Sequence, residues 1–290
     1  MVLIFPLQAI LVGVMLGGLY AVVGLGMSLV FGVMNVINLA HGDLVVLSSY
    51  AGYVFLTYLN VDPILGLVVI VPLMFALGFV IQNFALNRVL TTGVEPPLMI
   101  TFGVSMVLEN IYLIAFSPLS RGITTTYVTK TFPVGPAYIP LVYFLDIVVA
   151  IMVMFFLRTF LSRTYLGMAI RAASQVTRSA KLMGINTNRV YSLTFGIAIA
   201  MAGVAGVFLG LTIPFTPQTG GTYLIIAFGT IIIGGLGSML GTLLGGVVLG
   251  LTQTLAGTYL GTTWETFVGF LLILVVLTIR PQGLFGRKAT

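Results

Sequence analysis

In "VMNVINLAHGDLVV", residues 33–46, the single histidine of the chain, His41, stands beside Gly42 and Asp43, with Asn35 and Asn38 just before it. An imidazole and a carboxyl this close could relay a proton. A helix starting near Asp43 would instead offer unpaired backbone N–H groups and a positive dipole end, which suits an anionic or carboxylate-bearing group. Asn35, Asn38 and His41 are spaced by three, so they share one face if the segment is helical. A turn between two apolar spans collects Asn, Gly and Asp for geometry alone, and the residues fit that equally well.

Glu109 is the second candidate. It lies near the middle of the apolar stretch 97–118, beside Asn110. An ionised carboxylate at that depth costs at least ~2.5 kcal/mol unless it faces water or a partner. Glu109 is therefore either a pathway or proton site, or a neutral or paired group that packs the bundle. Asp146 and Glu265 sit nearer the ends of their stretches, can reach the interface and need no special role.

The elements that must hold these residues are membrane helices. Hydrophobic residues make up 59% of the chain and charged residues 6%, about a quarter of what soluble domains carry, with a mean hydropathy of +1.19. Apolar stretches fall at 8–34, 37–59, 63–87, 97–118, 139–157, 190–213, 223–258 and 264–280. They predict an all-α polytopic membrane protein of about eight spans, one helical membrane domain over residues 1–290, with possible broken helices. The first stretch is longer than a signal-peptide core and has no basic residues before it, so it reads as an uncleaved span. The seventh stretch is too long for one span and is cut at Gly234, Gly235 and Gly237. Such a break is tolerated where protein or a water-filled cavity covers the freed backbone. Gly241, Gly245, Gly246 and Gly250 continue a small-residue stripe. The glycine cluster thus reads as close packing or as a backbone-lined substrate path.

Charge sets the orientation. Arg88, the group Arg158 to Arg189, and Arg280, Arg287 and Lys288 place ten basic residues on one side, against Arg121 and Lys130 on the other. The ten mark the cytoplasmic face, which puts the N-terminus and the polar 119–138 loop outside and the His41 segment toward the cytoplasmic end of the first two spans, unless the helix there is broken deeper in the membrane. The basic residues follow the spans, so the +6 charge implies no nucleic-acid partner.

The 158–189 segment has six basic residues and no acidic one. Ile170, Ala173, Val176, Ala180 and Met183 recur at helical steps, predicting a short helix from Ser174 to Met183 that buries a narrow face, with Gly184 as its left-handed cap. It could lie on anionic headgroups; as a docking helix for a cytoplasmic partner it could transmit a push to the spans on either side.

The chain holds no energy source. No glycine is followed by lysine, so the P-loop motif is absent, and "GGLGSMLG" lacks dinucleotide spacing. With no cysteine and one histidine, neither a disulfide framework nor a thiolate or His-rich metal cluster can form. An intramembrane enzyme would need a nucleophile and base that the sequence does not pair.

Four ordered stretches then carry a resemblance: "GLYAVVGLGMSLVFGVMNVINLAHGDLVVLSSY", "RAASQVTRSAKLMGINTNRVYSLTFGIAIAMAGVAGVFLG", "IAFGTIIIGGLGSMLGTLLGGVVLG" and "RPQGLFG". Together they resemble the branched-chain amino acid ABC importer permeases of the LivH type. The resemblance implies a LivM-like second permease, two cytoplasmic ATPase subunits that bind ATP and Mg, an extracytoplasmic solute-binding protein, and a bacterial or archaeal cytoplasmic membrane; this chain itself would carry no cofactor. It implies that Arg171, Ala172, Ser174, Arg178, Ala180, Lys181 and Gly184 belong to the ATPase-coupling loop. Substrate would arrive at the outward 119–138 and 214–222 loops, and the path residues would be Asn35, Asn38, His41, Asp43, Glu109, Gly234, Gly235 and Gly237. The same superfamily also moves urea, short amides and aromatic acids. The chain departs from it at Arg88 and Glu95, where several basic residues are usual, and at Glu109, where Gln is frequent. The competing class, an ion-coupled secondary transporter, would use Glu109, His41 and Asp43 as a proton relay.

Overall fold

The computed structural model describes residues 4–90, 93, 95–280 and 282–285; Arg287 and Lys288 of the charge argument lie outside them. Each expected apolar stretch is helical. In chain order the elements are α1 (Ile4–Met34), α2 (His41–Leu59), α3 (Pro63–Phe84), α4 (Glu95–Phe116), the antiparallel hairpin β1 (Thr131–Val134) and β2 (Ala137–Pro140), α5 (Leu141–Arg163), α6 (Tyr165–Gln175), α7 (Thr177–Leu182), α8 (Thr187–Thr212), α9 (Gly220–Gly234), α10 (Met239–Leu260) and α11 (Thr263–Ile279). Among the described residues α1 to α5, α8 and α10 are long and apolar enough to cross a bilayer; α9 and α11 are shorter.

Local signals set the boundaries. Asn60 ends α2 in the left-handed conformation, Asp62 accepts the Ile64 N–H at 2.8 Å, and Pro63 follows as the first residue of α3. Asn186 caps α8 and Ser238 caps α10 in the same way. The break expected near Gly234 is present, and α9 and α10 are its two halves.

The order of crossings in α1–α4 recurs upside down in α8–α11. In each set a long helix ends, the chain turns back into the bundle, a helix begins there, and two more follow. Helix α10 lies antiparallel on α1 through glycines, Gly13 against Leu251 and Gly17 against Val247, while α3 lies antiparallel on α8, Gly78 against Ile199 and Gly203 against Met74. Exchanging α1 with α8 and α3 with α10 maps one pair onto the other. Inverted repeats of this kind place functional sites where their broken helices meet, near the bilayer midplane. Helices α1 and α8 form the centre, and α3 and α4 turn apolar side chains outward, Val68 and Ile114 being 76% and 86% exposed.

Two expectations need correction. The helix predicted from Ser174 to Met183 is two helices, because β-branched Val176 takes an extended conformation between α6 and α7. Ile170, Ala173 and Ala180 are buried as expected, but Val176 and Met183 are exposed. The 119–138 connection is not a free polar loop either. It contains the hairpin, Arg121 and Phe215 exchange backbone hydrogen bonds at 2.9 and 2.8 Å, and Ile123 is buried over the outer ends of α2 and α8.

Candidate functional site

Helix α1 ends at Asn35, which has φ +51° and is exposed. Residues 35–38 are not helical, so the three-residue spacing does not bring Asn35 and Asn38 onto one face; Asn35 lies away from the cluster that buries Asn38 and His41 completely. The Asn38 Oδ1 accepts the Ala40 N–H at 3.1 Å, which folds the chain into α2. The His41 Nε2 lies 2.8 Å from the Val23 carbonyl oxygen. A carbonyl only accepts, so Nε2 carries a proton and donates it.

That bond corrects the depth of the elbow. Val23 precedes Met34 by three turns of α1, roughly 16 Å of rise, half the thickness of a bilayer core. The elbow therefore re-enters the bundle and α2 starts near the midplane, not at the cytoplasmic surface. The sequence could not give this depth, because the residues flanking the elbow are apolar whether the chain turns at a surface or inside.

A second re-entry meets the first. The chain pairs with Arg121 at Phe215 on the outer side, dips inward, and starts α9 at Gly220, against Gly42 and Asp43. The 214–222 segment is thus not only the outward loop expected. At Gly42 a Cβ would collide with the Gly220 carbonyl, and at Gly220 with the Asp43 carboxylate. Two half-helices meet here by their N-termini, with Asp43 between them. The Asp43 carboxyl stands beside Gly220 at the start of α9.

Helix α4 supports the joint from the side. Ser105 donates to Asp43 Oδ2, Tyr112 donates to the Asp43 carbonyl at 2.9 Å, and Thr101 accepts the Leu39 N–H at 3.2 Å. Glu109 follows Ser105 by one turn, is half-buried, and lies close enough for its carboxyl to interact electrostatically with that of Asp43. The structure thus brings Asn38, His41, Asp43 and Glu109 together. It also adds Ser105, Tyr112 and Gly220, and the pair Ser48 and Ser49, whose hydroxyls donate to the Ala202 and Gly206 carbonyls of α8 at 3.1 and 2.6 Å. Among these only Gly220 carried a sequence signal, the Pro217 to Gly221 run ahead of a short apolar helix.

The glycines of 234–238 stand elsewhere, at the cytoplasmic turn between α9 and α10. Gly234 packs on the Gly241 backbone, Gly235 at φ +100° is backed by Gly283, and only Gly237 at φ +77° lines a cavity. For Gly234 and Gly235 packing explains the residue type, and neither touches the midplane joint. Asp146 departs from its expected place: it is 1% exposed, and Thr212 donates to its Oδ2 at 3.0 Å.

In the basic segment, Arg171, Ala172, Arg178 and Lys181 are exposed and Ser174 half-exposed, while Ala180 is buried. Gly184 takes φ +82° and lets Ile185 donate to the Ala180 carbonyl at 3.1 Å, closing α7. Leu182 and Met183 are more than four-fifths exposed at this tip, an apolar knob ringed by cations. The Thr177 and Tyr191 hydroxyls, 3.1 Å apart, tie the knob to α8, and α8 carries the carbonyls that hold Ser48 and Ser49. The basic segment and the joint thus share one helix, α8.

A family model described as branched-chain amino acid transport system / permease component matches residues 9–277. The chain is 30% identical, over 97% of its length and 96% of the relative's, to the high-affinity branched-chain amino acid transport system permease protein BraD of Pseudomonas aeruginosa. It is 31% identical, over 98% and 96%, to the corresponding protein LivH of Escherichia coli. With the probable branched-chain amino acid transport permease protein LivH of Methanocaldococcus jannaschii it shares 26% identity over 92% and 89%. The solved structure of PsaBC from Streptococcus pneumoniae in complex with Fab aligns with 96% of this chain and 92% of that one, at a TM-score of 0.53 and 11% identity, a likeness of fold alone.

Proposed function

The chain belongs to the permease family of branched-chain amino acid transport systems, and on that premise we propose that it forms one wall of the translocation path beside a LivM-like second permease. It is a multi-pass membrane transport component of an ABC importer for branched-chain amino acids, and not itself a catalyst. ATP and Mg are bound by two cytoplasmic ATPase subunits, cargo is delivered by an extracytoplasmic solute-binding protein, and the membrane is the bacterial or archaeal cytoplasmic membrane. The observation that carries this reading is the family match over residues 9–277. The exposed knob of α7 supports the ATPase docking, since an apolar tip ringed by Arg178 and Lys181 suits a protein groove better than water.

In this reading the α2–α9 joint is the inner barrier of the path. A push on α7 moves α8, α8 moves α2 through Ser48 and Ser49, and the joint at Gly42 and Gly220 parts. Asn38 and His41 hold backbone groups, Asp43 holds the Ser105 hydroxyl, and none of them performs chemistry. Reconstitution in liposomes tests the assignment. Leucine uptake should need ATP, the ATPases and the binding protein, whereas uptake by this chain alone on an ion gradient would overturn it.

A further inference from the structure

A cavity of about 680 Å³ opens at the cytoplasmic ends of α1, α5 and α6 and reaches the α9–α10 turn. Arg158 from α5 and Arg171 from α6 line it, with Ser28, Ser162, Ser174 and Ser238. Among the described residues no acidic side chain lines it, so the two guanidinium groups meet no carboxylate there; Arg171 Nη2 donates to the Ser162 carbonyl at 3.4 Å. Ser28 is 3% exposed, and its Oγ has no hydrogen-bond partner among the described residues. Ser162 and Ser174 donate to their own helices, at 3.2 Å to Thr159 O and 2.9 Å to Arg171 O, and can accept in turn. Much of the remaining wall is apolar.

We propose that this cavity binds a phosphate-bearing anion, supplied in the membrane by the headgroup of an anionic phospholipid in the cytoplasmic leaflet. Guanidinium forks match phosphate oxygens bidentately, and the apolar wall accepts the start of the acyl chains. A zwitterionic amino acid fits less well, because no carboxylate among the described lining residues pairs with an ammonium group. The bound headgroup ties α5 to α6 beside the α9–α10 turn, so it braces the base of the coupling segment. The inference rests on the orientation derived above and not on the cargo.

The test uses the chain with its co-purifying subunits. Detergent micelles doped with phosphatidylglycerol or with phosphatidylcholine are compared by native mass spectrometry, which reads lipid retention independently of transport. Wild type should retain phosphatidylglycerol in preference. The double variant Arg158→Gln, Arg171→Gln should lose at least about fivefold of that retention, while Arg88→Gln, cationic and cytoplasmic but outside the cavity, should keep it. Arg158→Lys, which preserves charge and fold but not the fork, should fall between. Phosphatidylglycerol displaced by millimolar inorganic phosphate, in wild type only, would identify free phosphate as a second source of the same chemistry. Equal retention of both lipids, or retention unchanged in the double variant, overturns the proposal.

Discussion

Gly42 and Gly220 face each other where α2 and α9 begin, so closely that neither site can hold a Cβ beside the other chain segment. The contact joins two re-entrant elements 178 residues apart in sequence at one point near the bilayer midplane. Gly220→Val should force the Asp43 carboxylate or the α9 backbone aside, at about 1–3 kcal/mol. The expected result is a lowered unfolding temperature in detergent and loss of most ATP-driven uptake, against near wild-type behaviour of Gly221→Val, whose site is open.

Asp43 distinguishes shape from charge. Asp43→Asn keeps an acceptor for Ser105 and should lose little stability. Asp43→Ala leaves the Ser105 hydroxyl unanswered and should cost about 1–3 kcal/mol. If thermal unfolding in micelles ranks the two variants the other way, the carboxylate is not a brace at the joint.

His41 holds α1 to α2 through a single neutral donor. His41→Ala removes that bond and opens a void at the point where α1, α2 and α8 meet, and should impair uptake while the ATPase subunits still co-purify. Loss of co-purification would assign His41 to assembly.

Glu109→Gln separates the two transport classes. An ABC permease should keep much of its uptake, because the side chain only lines the joint. A proton relay should lose all of it, with no recovery at any external pH.

The knob on α7 should be a docking residue set. Met183→Asp places a charge on an exposed apolar tip, leaves the bundle intact, and should reduce ATPase co-purification at least about tenfold, in line with interface anchors. Lys130→Asp, a charge change on the other face, should not.

The helices were legible in the sequence because each bilayer-length run of apolar residues has one stable backbone solution. The break after Gly234 and the cap at Gly184 were legible because the positive φ of Gly235, Gly237 and Gly184 favours glycine. The depth of His41 was not legible, since it depends on what lies across the bundle and not on the local pattern. Asp146 failed for the same reason: its partner, Thr212, is on another helix. Val176 shows the opposite limit, where periodicity proposed one helix and a single β-branched residue divided it.

The inverted repetition of α1–α4 in α8–α11 has a consequence for directionality. A core made of one plan used twice in opposite senses looks alike from both faces of the membrane, so it contains no arrow of its own. Vectorial movement must come from unlike attachments at its two ends, the pinned hairpin segment on the outer side and the cationic α6–α7 pair on the inner. Exchange what those ends recognise, and the same core would serve export as readily as uptake.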